Sequence, residues 1–140
     1  MNHVEKAREL FLAGYNCSQA VFAAFATEYG IDEKTALSIS CGLGGGVGRM
    51  REVCGAVGGA SLVFGLKYGD DKNVVYPKMQ EFAQRFKAER ESIVCRELLK
   101  NVKVTSGALA QERNDAYYRE RPCLGVVEFA ASILQDMLDN

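Results

Sequence analysis

Ten of the 14 glycines in this chain of 140 residues fall between Gly42 and Gly69. The first part of that stretch, Gly42-Leu43-Gly44-Gly45-Gly46-Val47-Gly48, is too glycine-dense to hold a regular element, because glycine loses the most conformational freedom on ordering. It reads as a central loop. From about Arg51 to Tyr68 apolar residues return, and a helix is expected there with Gly69 as its terminator. Gly55, Gly58, Gly59 and Gly65 inside that helix cost about 1 kcal/mol each against alanine. Close packing offsets such a cost. Gly55 and Gly59 lie four apart, as do Ala56 and Ala60, so one face is smooth enough for another backbone to approach. That backbone is either another helix of the chain or a second copy in a homodimer.

The flanking segments carry helical periodicity. Val4, Ala7, Leu10 and Phe11 share one face, opposite Glu5, Lys6, Arg8 and Glu9, and Gly14 ends that helix. Asn16 is a good N-cap for a helix from about Cys17 to Glu28, and Asp32 for a short one from Glu33 to about Ser40. Helices are also expected over about Val74 to Arg90, Ser92 to Lys100, and from Pro122 at the N1 position to about Leu138. The segment Asn101 to Arg121 reads as loop with a helical turn near Leu109 to Tyr117. No run reads as a strand. The expectation is an all-α, compact bundle of about six to seven helices around a glycine-rich central loop, forming one domain over residues 1–140.

Charge then removes several functions. Lys+Arg 17 against Asp+Glu 18 gives a net charge of −1, with no electrostatic footprint for nucleic acid or an anionic membrane surface. The uncharged stretch Val53 to Leu66 has 14 residues and four glycines, short of the roughly 18 apolar residues a membrane span needs. No secretory signal is visible at the start, so a cytoplasmic location is expected, with the thiols reduced at rest.

The five cysteines are Cys17, Cys41, Cys54, Cys95 and Cys123, and no two form a CxxC pair. Four of them share a position. Cys17 follows the Asn16 cap, Cys54 falls in the first turn of the glycine-rich helix, Cys95 lies near a helix start and Cys123 follows Pro122. Helix N-termini carry unpaired N–H groups and partial positive charge, which favour thiolate. Converging there, four thiolates would be redox groups or metal ligands. The bland reading is that each is a small buried hydrophobe. Cys41 closes a helix, where the dipole disfavours thiolate, and reads as an auxiliary thiol.

The run Cys54-Gly55-Ala56-Val57-Gly58-Gly59 fits CGAxxG, and the chain resembles the C_GCAxxG_C_C family of redox-active proteins. The resemblance extends from Tyr15-Asn16-Cys17-Ser18-Gln19 through Gly44-Gly45-Gly46, Phe64-Gly65-Leu66-Lys67-Tyr68-Gly69 and Cys95-Arg96-Glu97-Leu98-Leu99 to Cys123. It implies that the family's four cysteines are Cys17, Cys54, Cys95 and Cys123, acting with an unidentified redox partner. Some related domains are associated with an iron–sulfur centre, so such a cluster is the first cofactor expectation and zinc the second. Two reversible disulfides are the alternative use of the same four thiols. With 36, 40 and 27 residues between successive cysteines, either site would be assembled by the tertiary fold. Gly55, Ala56 and Gly58 would leave room beside Cys54 for a sulfur or a cluster.

A second class of function is a binding module. Gly44, Gly45 and Gly46, followed by Arg49 and Arg51, invite an anion-binding loop. The spacing fits neither GxGxxG nor a P-loop, and no strand precedes it. In that reading the cysteines are structural. His3, the only histidine, is expected on a frayed and solvated terminus. Tyr117 and Tyr118 read as packing residues.

Overall fold

A computed structural model describes residues 2–139, and eight α-helices form among them. These are α1 (His3–Leu12), α2 (Cys17–Ala26), α3 (Glu33–Ser40), α4 (Gly55–Tyr68), α5 (Lys72–Arg90), α6 (Cys95–Leu98), α7 (Asp115–Glu120) and α8 (Cys123–Asp139). Short 3-10 turns follow α2 at Thr27–Tyr29 and α3 at Cys41–Leu43. The caps sit where the side chains predict. Asn16 accepts from Gln19 N while the Gln19 side chain accepts from Asn16 N at 2.9 Å, a full capping box, and Asp32 accepts from Thr35 N at 3.1 Å. No strand forms among the described residues beyond one isolated antiparallel bridge, Val53 to Val94. None of the described helices is long and apolar enough to cross a membrane.

Helix α2 is the centre of the core. From Ala20 to Ala26 every residue is buried, and the helix packs against α1, α3, α4 and α8. The smooth face of α4 lies against it. A Cβ at Gly59 would stand 2.9 Å from the Ser18 carbonyl oxygen, and one at Gly55 would stand 3.1 Å from Ser18 N. Close approach of the two backbones therefore offsets the glycine cost, and the partner is a helix of the same chain. The Gly55/Gly59 face is occupied in this way, so contact with a second copy would have to use another surface. Gly65 has nothing within 4 Å of where its Cβ would be and has no such role.

Several boundaries differ from the sequence-based expectations. Helix α4 begins at Gly55 rather than near Arg51. Gly45, Gly46, Val47, Gly48 and Arg49 all have φ between 56° and 69°, and Arg51 has φ 62°. For Val47, Arg49 and Arg51 this left-handed backbone costs roughly 1–2 kcal/mol each. Tertiary contacts hold it in place. Cys54 N donates to Ile93 O at 2.7 Å, Cys95 N to Glu52 O at 2.6 Å, and Arg96 N to Arg51 O at 3.2 Å. The same bonds keep Ser92 to Val94 out of a helix, so the expected Ser92–Lys100 helix shrinks to Cys95–Leu98. The turn expected near Leu109 to Tyr117 forms later, at Asp115–Glu120, where Asn114 accepts from Tyr117 N at 2.9 Å. Helix α8 starts at Cys123, one residue after Pro122.

His3 is not a frayed residue. It belongs to α1, stacks on Phe25 with ring centroids 4.3 Å apart, and reaches Gln135 and Glu28 with its two ring nitrogens. The Asn2 cap, accepting from Glu5 N at 2.8 Å, fixes that first turn against α2 and α8.

Candidate functional site

Each of the four cysteines at a helix start is anchored through its own backbone. Cys17 is the first residue of α2, behind the Asn16 capping box, whose Nδ2 also donates to Cys41 O at 2.9 Å. Cys54 is the N-cap of α4 rather than a first-turn residue, and Cys95 opens α6. Both are tied by the crossed bonds around the Val53–Val94 bridge. Cys123 opens α8, where the Pro122 carbonyl accepts from Val126 N at 2.9 Å. Four helix starts thus converge, and all four cysteines line one cavity of about 60 Å³, room for a few water molecules. All five cysteines are free thiols; Cys54 and Cys95 are buried, Cys17 and Cys123 half-buried, and Cys41 is exposed outside this cavity.

The glycines divide by what they touch. A Cβ at Gly46 would fall 2.6 Å from the Cys95 Cβ, and one at Gly55 would lie 3.4 Å from the Cys17 Cβ, so these two make room for sulfur-bearing residues. Gly45 also lines the cavity. Gly44 makes room for Asn16, 2.2 Å from where its Cβ would stand. Gly58 faces the Leu43 side chain at 3.3 Å, and the buried Ala56 belongs to the core. Neither of these two borders the sulfur cavity.

Helix-start position does not by itself produce thiolates here. Burial pushes the Cys54 thiol up to about 12, overcoming the N–H groups of Ala56 and Val57 that favour its anion. Burial also raises Cys95, against the opposing pull of Arg51, whose Nη1 is 4.0 Å from its sulfur. Cys17 and Cys123 form a hydrogen-bonded pair whose members move in opposite directions. Cys17 is raised, first because it donates its proton to Cys123 and then by burial. Cys123 is lowered to about 7, first by accepting that hydrogen bond and then, against burial, by the neighbouring Arg121 and Arg113. The two thiols titrate as a coupled pair, and Arg121 and Arg113 favour its first negative charge on the Cys123 side.

The arginines of this site were missed in the sequence because they come from the segment without periodicity. Arg113 packs its guanidinium 4.2 Å from the Phe11 ring centroid and 4.9 Å from that of Tyr117. Its Nη1 donates to Phe11 O at 2.8 Å and its Nη2 to Tyr15 O at 2.7 Å. Arg121 lies 4.5 Å over the other contact of that ring system, the Tyr117 centroid. Tyr117 is thus a platform for two cations beside the thiols, as well as a packing residue. The one legible signal was Arg51, already placed near the glycine loop.

As the structure stands, no three Cys, His, Asp or Glu side chains among the described residues come together in a way that could hold a metal ion. Without a metal, burial raises Cys54 and Cys95, and Cys17 is raised by its interaction with Cys123 and by burial. Cys17, Cys54, Cys95 and Cys123 nevertheless all border the same cavity, the donor set a cluster or zinc would use. Cys17 and Cys123 are the coupled pair among these thiols, with Arg121 and Arg113 beside Cys123.

The family model described as "Putative redox-active protein (C_GCAxxG_C_C)" matches residues 15–137. No curated protein and no solved structure matches the chain.

Proposed function

The chain belongs to the C_GCAxxG_C_C family, and from that membership we propose that it is a dithiol–disulfide redox protein whose working couple is Cys17 and Cys123. The observation that carries this reading is that Cys17 and Cys123 border one cavity together with Arg113 and Arg121, which favour an anion on Cys123. Thiolate is the attacking species in disulfide exchange, and a thiol with a pKa near ambient pH is the best attacker. With a disulfide as oxidant, Cys123 attacks one sulfur of the substrate, the substrate S–S bond breaks, and one thiolate leaves. Cys17 then attacks the Cys123 sulfur of the mixed disulfide, releasing the second thiolate and closing a Cys17–Cys123 bond. Two protein thiols become one disulfide while one disulfide becomes two thiols, so two electrons and two protons move together. Cys54 and Cys95 shape the cavity and keep it apolar. A cytoplasmic setting, where a dithiol is continually reset by reductants, suits such a couple.

The second reading, four thiolates holding an iron–sulfur cluster or zinc, draws support from the convergence of four cysteines on one cavity. It requires Cys17, Cys54 and Cys95 to lose protons that burial and hydrogen bonding now retain. Equilibrating anaerobically purified protein in a graded glutathione buffer, while recording its visible spectrum, separates the two. The dithiol reading predicts a colourless protein with one two-electron transition, lost in Cys17→Ser and Cys123→Ser and kept in Cys41→Ser. A visible band that bleaches with dithionite, or a transition that survives in Cys123→Ser, would overturn it.

A further inference from the structure

Beside the sulfur cavity lies a larger one of about 400 Å³, within the size range of small-molecule sites. The two share a wall made by Asn16, Gly45, Arg51, Arg113, Tyr117 and Arg121. Its charges have one sign. Arg49, Arg51, Arg113 and Arg121 line it, and among the described residues no Asp or Glu does. Among the described residues, none of these four guanidinium groups forms an ion pair with a carboxylate.

What the arginines do touch leaves their charge in place. Arg49 donates to Thr105 O at 2.8 Å and to Gly107 O at 3.0 Å, and Arg113 to the carbonyls of Phe11 and Tyr15. Carbonyls satisfy N–H groups but neutralise nothing. Among the described residues the Arg51 guanidinium makes long contacts, 3.4 Å to Thr105 O and 4.0 Å to the Cys95 sulfur. The Arg121 Nε is buried with no hydrogen-bond partner among the described residues. The charge cost is visible within the group, since Arg49 is lowered by burial and then by repulsion from Arg51 and Arg121. In a chain with a net charge of −1, four cations gather around one cavity, and among the described residues no carboxylate partners them. Half-buried guanidinium groups arranged in this way recognise carboxylate, phosphate or sulfur oxyanions.

We propose that this arginine-lined cavity binds the anionic end of the substrate, a small disulfide carrying a carboxylate or another oxyanion group, and presents its sulfur to Cys123 through the shared wall. The disulfide part rests on the dithiol reading above; the anion site stands on the arginines alone. The class excluded is a neutral or cationic disulfide, which would bring no counter-charge to Arg49 and Arg51, the two arginines not already facing Cys123.

Two probes keep these parts separate. Thiodiglycolate, a thioether with two carboxylates, can bind but has no S–S bond to exchange. Calorimetry at low salt is expected to show it binding the reduced protein, with affinity falling about tenfold or more in Arg51→Gln and largely restored in Arg51→Lys. Dithiodiglycolate and bis(2-hydroxyethyl) disulfide are then compared as oxidants, each rate divided by its rate with dithiothreitol. The expected ratio favours the dianionic disulfide by about tenfold or more at low salt and falls towards one in Arg51→Gln or at high salt. Equal normalised rates, or no thiodiglycolate binding, would overturn the proposal. Thiodiglycolate binding without any disulfide-driven oxidation would uphold the anion site and overturn the dithiol reading instead.

Discussion

Raising the pH from about 8.5 to 12 is expected to cost the fold about 4 kcal/mol through Cys54 alone. In the unfolded chain a cysteine releases its proton near pH 8.5, whereas burial holds the Cys54 proton up to about 12. A pKa raised on folding stabilises the native state fully below the unfolded value, and that contribution is lost as pH rises towards the folded value. Across the window the native state binds one more proton than the unfolded one, which lowers stability by about 1.4 kcal/mol per pH unit. Against a total of roughly 5–15 kcal/mol for a typical domain, that is a large share. Cys17 and Cys95, also raised, act in the same direction. Urea unfolding of the reduced protein across this range isolates the Cys54 part by comparison of Cys54→Ala with Cys41→Ala. The Cys54→Ala protein, though weaker at neutral pH, should lose markedly less on going alkaline. Parallel pH profiles for the two variants would refute the burial argument.

The second large effect is on reactivity. At pH 7 a cysteine of ordinary pKa is about 3% ionised, while one at about 7 is half ionised. Even after the lower intrinsic nucleophilicity of a low-pKa thiolate, Cys123 should react with iodoacetamide several times faster than an ordinary thiol. Peptide-resolved alkylation should give a midpoint near pH 7 for Cys123. Cys17→Ala removes the first of the causes that lower it, and Arg121→Gln removes a later one. Both should move the midpoint upward, by roughly a unit or more for Cys17→Ala. A Cys123 midpoint unmoved by Cys17→Ala would mean that the two thiols do not share a proton.

The sequence made the helical scaffold legible because its signals are local. Asn16 and Asp32 cap helices through bonds to residues three positions on, and the Gly55/Gly59 spacing predicts a smooth face that α2 fills. The convergence of Cys17, Cys54, Cys95 and Cys123 followed from their shared position at helix starts, reinforced by family resemblance. What failed was non-local. The start of α4 is set by contacts between residues 51–54 and 93–96, which no periodicity announces. Thiolate character was assigned to the helix dipole, but for Cys54 and Cys95 burial outweighs it, and burial depends on the whole fold. Arg113 reaches Phe11 and Tyr15 about a hundred positions away, so its place beside the thiols could not be read from its neighbours.

The same residues explain why the site combines rigidity with charge. The left-handed backbone at Val47, Arg49 and Arg51 is strained, and strain of this kind persists where surrounding contacts over-determine it. Here those contacts bind the glycine loop to residues 93–96 and 105–107, bringing Arg51 beside Cys95 and Gly46 under it.

The most direct test of the central claim is to oxidise the reduced protein with one equivalent of diamide and map the disulfide by peptide mass spectrometry under acid quench. Diamide takes up two electrons and two protons and needs no anionic site, so it interrogates the thiols alone. The predicted product is a single intramolecular Cys17–Cys123 bond, with Cys41, Cys54 and Cys95 recovered as thiols. A bond joining Cys54 to Cys95, or no intramolecular bond at all, would contradict it.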